Sequence, residues 1–115
     1  MAWGWELIID ATDCNDNVSN PDKIIEFKTE LIQKIEMVEY GEPLIKRFGT
    51  GHLAGITLVQ LIETSSITIH FCDEPSSFYG NIFSCKPFDK EVVMEIIEKY
   101  FDPHQVHTVF LDRGA

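Results

Sequence analysis

The chain has 115 residues, of which 44% are apolar, enough for one domain with a hydrophobic core. It carries 19 Asp and Glu against 9 Lys and Arg, a formal net charge of -10. Without the Lys and Arg clusters that bind phosphate backbones, we expect no nucleic-acid partner, and the negative surface favours a cationic substrate. The sequence also lacks an apolar run of about 20 residues and a signal-peptide layout, so we expect a cytoplasmic protein with no membrane association.

The N-terminal third predicts a strand followed by a helix. Trp5–Asp10 reads as a strand that runs into a polar loop. Asn20 followed by Pro21 is a favourable helix start, because Asn caps the first turn and Pro suits its first position. Apolar residues then recur at helical spacing as far as Ile35, and Gly41–Pro43 ends the segment.

The middle of the chain predicts consecutive strands. Residues 44–48 form a short strand, and Gly49–Gly55 a flexible loop. Residues 56–63 are nearly all apolar, as in a strand inside a sheet or covered on both faces. Residues 67–72 alternate, with Ile67, Ile69 and Phe71 on one face and Thr68, His70 and Cys72 on the other.

The C-terminal part completes the order of elements. Residues 73–80 read as a turn-rich connection, 81–85 as a strand, 87–101 as an amphipathic helix that ends before Pro103, and 107–111 as a last strand. Strand, helix, several strands, helix and strand in that order predict an α+β fold. We expect a two-layer sandwich in which a mainly antiparallel sheet is backed by two helices.

A few polar side chains interrupt this pattern. Ser65 and Ser66 precede the alternating strand, His70 lies on its polar face, and Cys85 ends the next strand. They are consistent with surface hydroxyls, a hydrogen-bonded histidine and a buried thiol. Another interpretation is a nucleophile activated by the histidine.

A metal site is a further alternative. Its ligands would be His70, Cys72, Cys85 and His52, although structural zinc sites usually show tighter paired spacing. We therefore expect no metal. The three cysteines, with Cys14 as the third, form no CxxC pair, and we expect free thiols.

The stretch TSSITIH at 64–70, with FSC at 83–85, resembles the self-cleaving site of the small prokaryotic S-adenosylmethionine decarboxylases. That family carries Glu-Ser-His-x-(Ser/Thr)-Ile-His and, further on, Phe/Tyr-Thr-Cys. In this chain Ser65 lies five residues before His70, and Cys85 lies fifteen after it, so both spacings match. The resemblance extends more loosely to the loop Asp10–Cys14 and to the closing LDRG at 111–114.

The resemblance implies a single domain, 1–115, that cleaves itself between Thr64 and Ser65. Ser65 would attack the Thr64 carbonyl and become a covalent pyruvoyl cofactor, with His70 as the base of the elimination. The pyruvoyl group would serve as electron sink in the decarboxylation of S-adenosylmethionine for spermidine synthesis, with Cys85 as proton donor. The family also implies a homodimer whose active sites draw on both chains.

The sequence departs from the family pattern beside the reactive serine. Thr64 replaces the usual Glu, with Glu63 displaced by one position, and Ser66 replaces the usual His. Thr57 is the best equivalent of a second serine that assists cleavage in the family, and Thr57 and Glu63 are candidate supports for processing or for the oxyanion. Two alternatives stay open: pyruvoyl-dependent decarboxylation of ornithine or arginine, and a non-catalytic ligand-binding or interaction module.

Overall fold

The computed structural model describes residues 3–114 and contains one six-stranded antiparallel sheet with two helices. The strand order is β2-β3-β4-β5-β1-β6. The predicted α+β sandwich is confirmed. The strands are β1 Gly4–Thr12, β2 Leu44–Phe48, β3 Gly55–Ile62, β4 Ser65–Cys72, β5 Ser77–Ser84 and β6 Gln105–Arg113, and the helices are α1 Pro21–Lys34 and α2 Lys90–Phe101.

Both helices begin at capping side chains. The Asn20 side chain accepts hydrogen bonds from the N–H groups of Asp22 and Lys23, as the sequence predicts for the start of α1. The sequence predicts the start of α2 three residues too early, at 87, because the apolar periodicity extends back over the preceding loop. The structure begins α2 at Lys90, where the Asp89 side chain accepts from the Glu91 N–H.

The helices cover one face of the sheet, and the core lies between the two layers. Four fully buried phenylalanines join them. The Phe101 ring of α2 lies 5.4 Å from Phe71, 5.3 Å from Phe78 and 4.8 Å from Phe27 of α1, measured between ring centroids. Such aromatic clusters bury large apolar areas, so they fix the helices against the centre of the sheet.

Strand β5 begins earlier than the sequence predicts. Residues 73–80 read as a connection because they are rich in turn residues, yet Ser77–Gly80 pairs with β4. Gly80 has a packing role here, because a Cβ at this position would lie 2.8 Å from the Thr68 carbonyl oxygen and 2.7 Å from the Ile69 side chain. In the predicted loop Gly49–Gly55, residues Gly51–Leu53 form a 3-10 turn.

The sheet face opposite the helices is uncovered, and we call it the open face. Its position follows from strand alternation, since Ile67, Ile69 and Phe71 of β4 are buried while His70 is exposed. The open face carries several exposed apolar side chains. These are Ile8, Leu44, Leu61, Tyr79, Val109 and Leu111. Within residues 3–114, none of the helices has the length and apolar composition required to cross a membrane.

Candidate functional site

Strands β3 and β4 are joined by a turn of only two residues, Glu63 and Thr64. Ile62 pairs with Ser65 across the turn, and the Glu63 N–H is held by the Val38 carbonyl at 3.1 Å. The φ angle of Thr64 is +60°, in the left-handed region. A β-branched residue rarely adopts this conformation, which costs on the order of 1–3 kcal/mol. The backbone strain thus lies immediately before the 64–65 peptide bond.

Cys85 contacts both residues of that peptide bond. Its backbone N–H donates a hydrogen bond to Ser65 Oγ at 3.0 Å, and its Sγ contacts Thr64 Oγ1. The Thr64 hydroxyl donates to the Glu63 carbonyl at 2.6 Å. Because a hydroxyl has a single proton to donate, the Cys85 thiol donates to Thr64 Oγ1. Thr64, Ser65 and Cys85 therefore form one connected group, which we call the hairpin group.

The sheet register brings Cys85 to the turn. Ser66 of β4 pairs with Phe83 of β5, so the chain leaving β5 passes the first residues of β4. The Ser84 hydroxyl accepts from the Lys86 N–H at 3.0 Å and donates to the Lys86 carbonyl at 2.8 Å, which fixes the bend after the strand. Cys85 lies one residue beyond β5 rather than at its end, half-buried beside the turn.

His70 belongs to a second group with Thr57. The two residues are cross-strand partners of β4 and β3, and Thr57 Oγ1 lies 3.0 Å from His70 Nδ1. Both side chains point to the open face, where His70 is exposed. The sequence suggested Thr57 as an assisting hydroxyl, and the structure places it against the histidine rather than against the serine. We call Thr57 and His70 the histidine group.

The two groups lie far apart within one chain. Five residues of a strand span about 16 Å, so Ser65 and His70 stand at nearly opposite ends of β4. An odd separation also directs side chains to opposite faces, with Ser65 on the helix side and His70 on the open face. The structure therefore joins Ser65 with Cys85, but does not bring His70 to them.

Each group opens into a concave surface. A cavity of about 520 Å³ beside the turn is lined by Tyr40, Leu61, Ile62, Glu63, Thr64 and Ser65. A cavity of about 490 Å³ at the histidine group is lined by Phe48, Leu53, Gly55, Thr57, His70, Phe71 and Cys72. The dimensions of both suit small-molecule ligands.

Tyr40 forms one wall of the cavity beside the turn, although it belongs to no sequence motif. Its position depends on Gln60, which is fully buried and donates to the carbonyls of Gly41 at 3.1 Å and Leu61 at 2.8 Å. Within the described chain, Gln60 Oε1 has no hydrogen-bond partner. A glutamine inside the apolar run 56–63 was the available signal that this segment holds a neighbouring loop.

The residues considered for a metal site do not converge. Between residues 3 and 114, no three His, Cys, Asp or Glu side chains are grouped so that they could bind an ion. His52 lies in the Gly51–Leu53 turn, and Cys85 lies in the hairpin group. All three cysteines are free thiols. Burial, together with the nearby Asp13 carboxylate, raises the pKa of the Cys14 thiol to about 11, so this thiol is not an activated nucleophile.

Comparisons with known proteins show the fold and the family of the chain. The structure superimposes on the adenosylmethionine decarboxylase from Aquifex aeolicus VF5 with a TM-score of 0.82, at 18% identity over 99% of this chain and 92% of that one, so the two share a fold. No curated protein gives a significant sequence match. The profile of the S-adenosylmethionine decarboxylase family matches residues 5–114. The chain therefore belongs to the S-adenosylmethionine decarboxylase family.

Proposed function

We propose that the chain is the proenzyme of a pyruvoyl-dependent S-adenosylmethionine decarboxylase that cleaves itself between Thr64 and Ser65. Family membership supports the reaction class. The observation that carries the cleavage proposal is the hairpin group, in which Cys85 contacts both residues of a peptide bond that follows a left-handed threonine. A surface serine with no chemical role would require neither the contact with Cys85 nor a left-handed threonine before it.

The first step is an acyl shift at this bond. Ser65 Oγ attacks the Thr64 carbonyl carbon, the bond from that carbon to the Ser65 nitrogen breaks, and the hydroxyl proton passes to the nitrogen. The peptide becomes an ester with a free amine. The Cys85 N–H donates to Ser65 Oγ at 3.0 Å and so holds the attacking oxygen in place beside the Thr64 carbonyl carbon.

The second step removes the α-proton of Ser65. We assign His70 as the base: the Cβ–Oγ bond breaks, Thr64 leaves as a carboxylate, and hydration with loss of ammonia gives the pyruvoyl group at position 65. Thr57 fixes the imidazole, because an Nδ1–H donated to Thr57 Oγ1 leaves Nε2 free to accept a proton. Glu63 is exposed at the turn, and we keep it as a candidate support only.

Because Ser65 and His70 lie about 16 Å apart along β4, we infer that the His70 acting on Ser65 comes from a second copy of the chain. We propose a homodimer formed through the open face, which carries the histidine group and the exposed apolar side chains defined above. Covering this face would remove the uncovered apolar area from water. In such a dimer each hairpin group works with the histidine group of the partner subunit.

The residues present fit a pyruvoyl group at position 65. That group would supply an electrophilic carbonyl that binds the substrate amine and accepts the electron pair left on the substrate when carbon dioxide departs. We assign Cys85 as the proton donor for the product carbon, since its backbone N–H contacts residue 65 and its half-buried thiol contacts the neighbouring Thr64. The cavity beside the turn provides the space for the substrate.

Intact mass of the purified protein tests the cleavage. We expect two pieces, residues 1–64 and 65–115, the second lacking an N-terminal amine. Ser65→Ala should stay a single chain, and the matched control Ser66→Ala should still be cleaved. A wild-type chain that stays full length after prolonged incubation contradicts the proposal.

The substrate is tested by release of labelled carbon dioxide. S-adenosylmethionine is the proposed substrate, and its product would supply the aminopropyl group for spermidine. Ornithine or arginine is the alternative, favoured by the departures at Thr64 and Ser66, and the negative chain suits either cation. If carbon dioxide is released only from ornithine or arginine, that amino acid is the substrate and S-adenosylmethionine is not. A non-catalytic module would release carbon dioxide from none of them and would function without Ser65.

A further inference from the structure

Thr64 departs from the family pattern, in which a glutamate usually stands at this position. Its hydroxyl lies between two partners, donating to the Glu63 carbonyl at 2.6 Å and contacting the Cys85 thiol. Both partners hold the residue while its φ angle is +60°. The hydrogen bonds and the unfavourable backbone angle therefore belong to the same residue.

An unstrained peptide is far more stable than the corresponding ester, so a self-cleaving chain benefits when the amide is destabilised. The strain at Thr64 destabilises the amide specifically. In the ester, the path from the Thr64 carbonyl carbon to the Ser65 Cα passes through Oγ and Cβ instead of the nitrogen and is one atom longer. The longer connection lets the two-residue turn relax.

We propose that Thr64 is a positioning residue for self-cleavage: its hydroxyl, held by Cys85 and Glu63, keeps the residue before the scissile bond in the left-handed conformation. Relief of this conformation shifts the amide–ester equilibrium toward the ester. The inference rests on the proposed self-cleavage and adds a role for Cys85 before the cofactor exists. It also gives a reason for a threonine at position 64, where a glycine would adopt the same φ angle without strain.

The test isolates the first step in a His70→Ala background, where the ester accumulates because the base is absent. Hydroxylamine cuts the ester and leaves the amide intact, so the cut fraction reports the equilibrium. Thr64→Ser, which keeps the hydroxyl, should match the parent. Thr64→Val, which has nearly the same shape without the hydroxyl, should lower the ratio of ester to amide several-fold. Thr64→Gly should lower it about tenfold, the equivalent of about 1.4 kcal/mol.

The same substitutions are also made in a Ser65→Ala background, which cannot form the ester. Their melting temperatures show whether a substitution relieves backbone strain or damages the fold. Thr64→Gly should raise the melting temperature, since glycine adopts positive φ freely. Equal ester ratios for all four residues at position 64, or a lower melting temperature for Thr64→Gly, would overturn the inference. A wild-type chain that is never cut and a His70→Ala chain without ester would instead show that the proposed function itself is wrong.

Discussion

Ser65 and Ser66 are identical in chemistry, and their surroundings distinguish the one that we propose reacts. Ser65 accepts the Cys85 N–H and follows the strained Thr64, whereas Ser66 lies within β4 opposite Phe83. Both serines are recognisable in the sequence, but the left-handed angle of Thr64 is not, because threonine normally favours strands. The hydrogen bonds of the Thr64 hydroxyl hold this angle in the two-residue turn, and only the structure reveals them.

At the same scale, Cys85→Ser should separate maturation from turnover. A hydroxyl still contacts Thr64, and the backbone N–H is retained, so we expect cleavage to proceed at least in part. Decarboxylation should fall by roughly 100- to 10,000-fold, because a hydroxyl is a poorer proton donor. Mass spectrometry should also detect an N-terminal alanine at residue 65, formed when the proton reaches the wrong carbon.

The control for this variant is Cys14→Ser, which lies away from the hairpin and should retain full specific activity. If Cys85→Ser also retains full specific activity, the proton donor is a different group. If it lowers the melting temperature but leaves the activity of each folded molecule unchanged, Cys85 is a buried structural side chain.

Thr57→Val tests the histidine group. Loss of a hydrogen bond to a charged imidazole costs about 1.5–3 kcal/mol, so the elimination should slow by about 10- to 100-fold. Ester sensitive to hydroxylamine should accumulate as in His70→Ala, while Thr57→Ser should behave like the wild type. Unchanged cleavage kinetics in Thr57→Val would remove Thr57 from the mechanism.

Among the elements, the sequence predicts both helices and the order of the strands, because hydrophobic periodicity survives without tertiary information. The sequence predicts a connection where β5 begins, because Ser77–Gly80 is a strand through its pairing with β4 rather than through local preference. The motif spacing predicts Ser65, His70 and Cys85 as site residues but does not give the distances between them. Their division into two groups follows from β4 being a single extended strand.

The Asp73 carboxylate links the turn after β4, the segment before α1 and the edge strand β2. Asp73 accepts hydrogen bonds from Ser19 at 2.7 Å and from Arg47 of β2, also at 2.7 Å. The Ser19 hydroxyl and, after it, the Arg47 guanidinium hold the pKa of Asp73 below its ordinary value of 3.8. Because the folded value is lowered, this stabilisation is present above about pH 4 and is lost as the pH falls through the folded pKa.

Asp73→Asn should therefore lower the melting temperature at pH 7, because the amide loses the charge that pairs with Arg47. The difference between this variant and the wild type should narrow as the pH falls below about 4. Thermal melts of both proteins from pH 7 to pH 2.5 provide the comparison. A difference that stays constant over this range would show that the carboxylate charge contributes nothing.

At the level of the whole molecule, Ser65 and His70 lie near opposite ends of one strand, and an uncovered apolar face surrounds the histidine. We infer from these two features that the functional unit is a pair of chains. Light scattering should give twice the mass of 13.2 kDa at working concentration. A monomer that cleaves itself at that concentration would contradict this inference.

Cleavage in mixed dimers tests directly whether His70 of one chain acts on Ser65 of the other. A Ser65→Ala chain retains His70 but has no reactive serine, and a His70→Ala chain retains Ser65 but has no base; each alone should stay uncleaved. When both are co-expressed with different tags and the mixed dimer is purified, the His70→Ala chain should be cut into residues 1–64 and 65–115. If that chain stays full length in the mixed dimer, His70 does not act across the interface, and the proposed site shared by two chains is wrong.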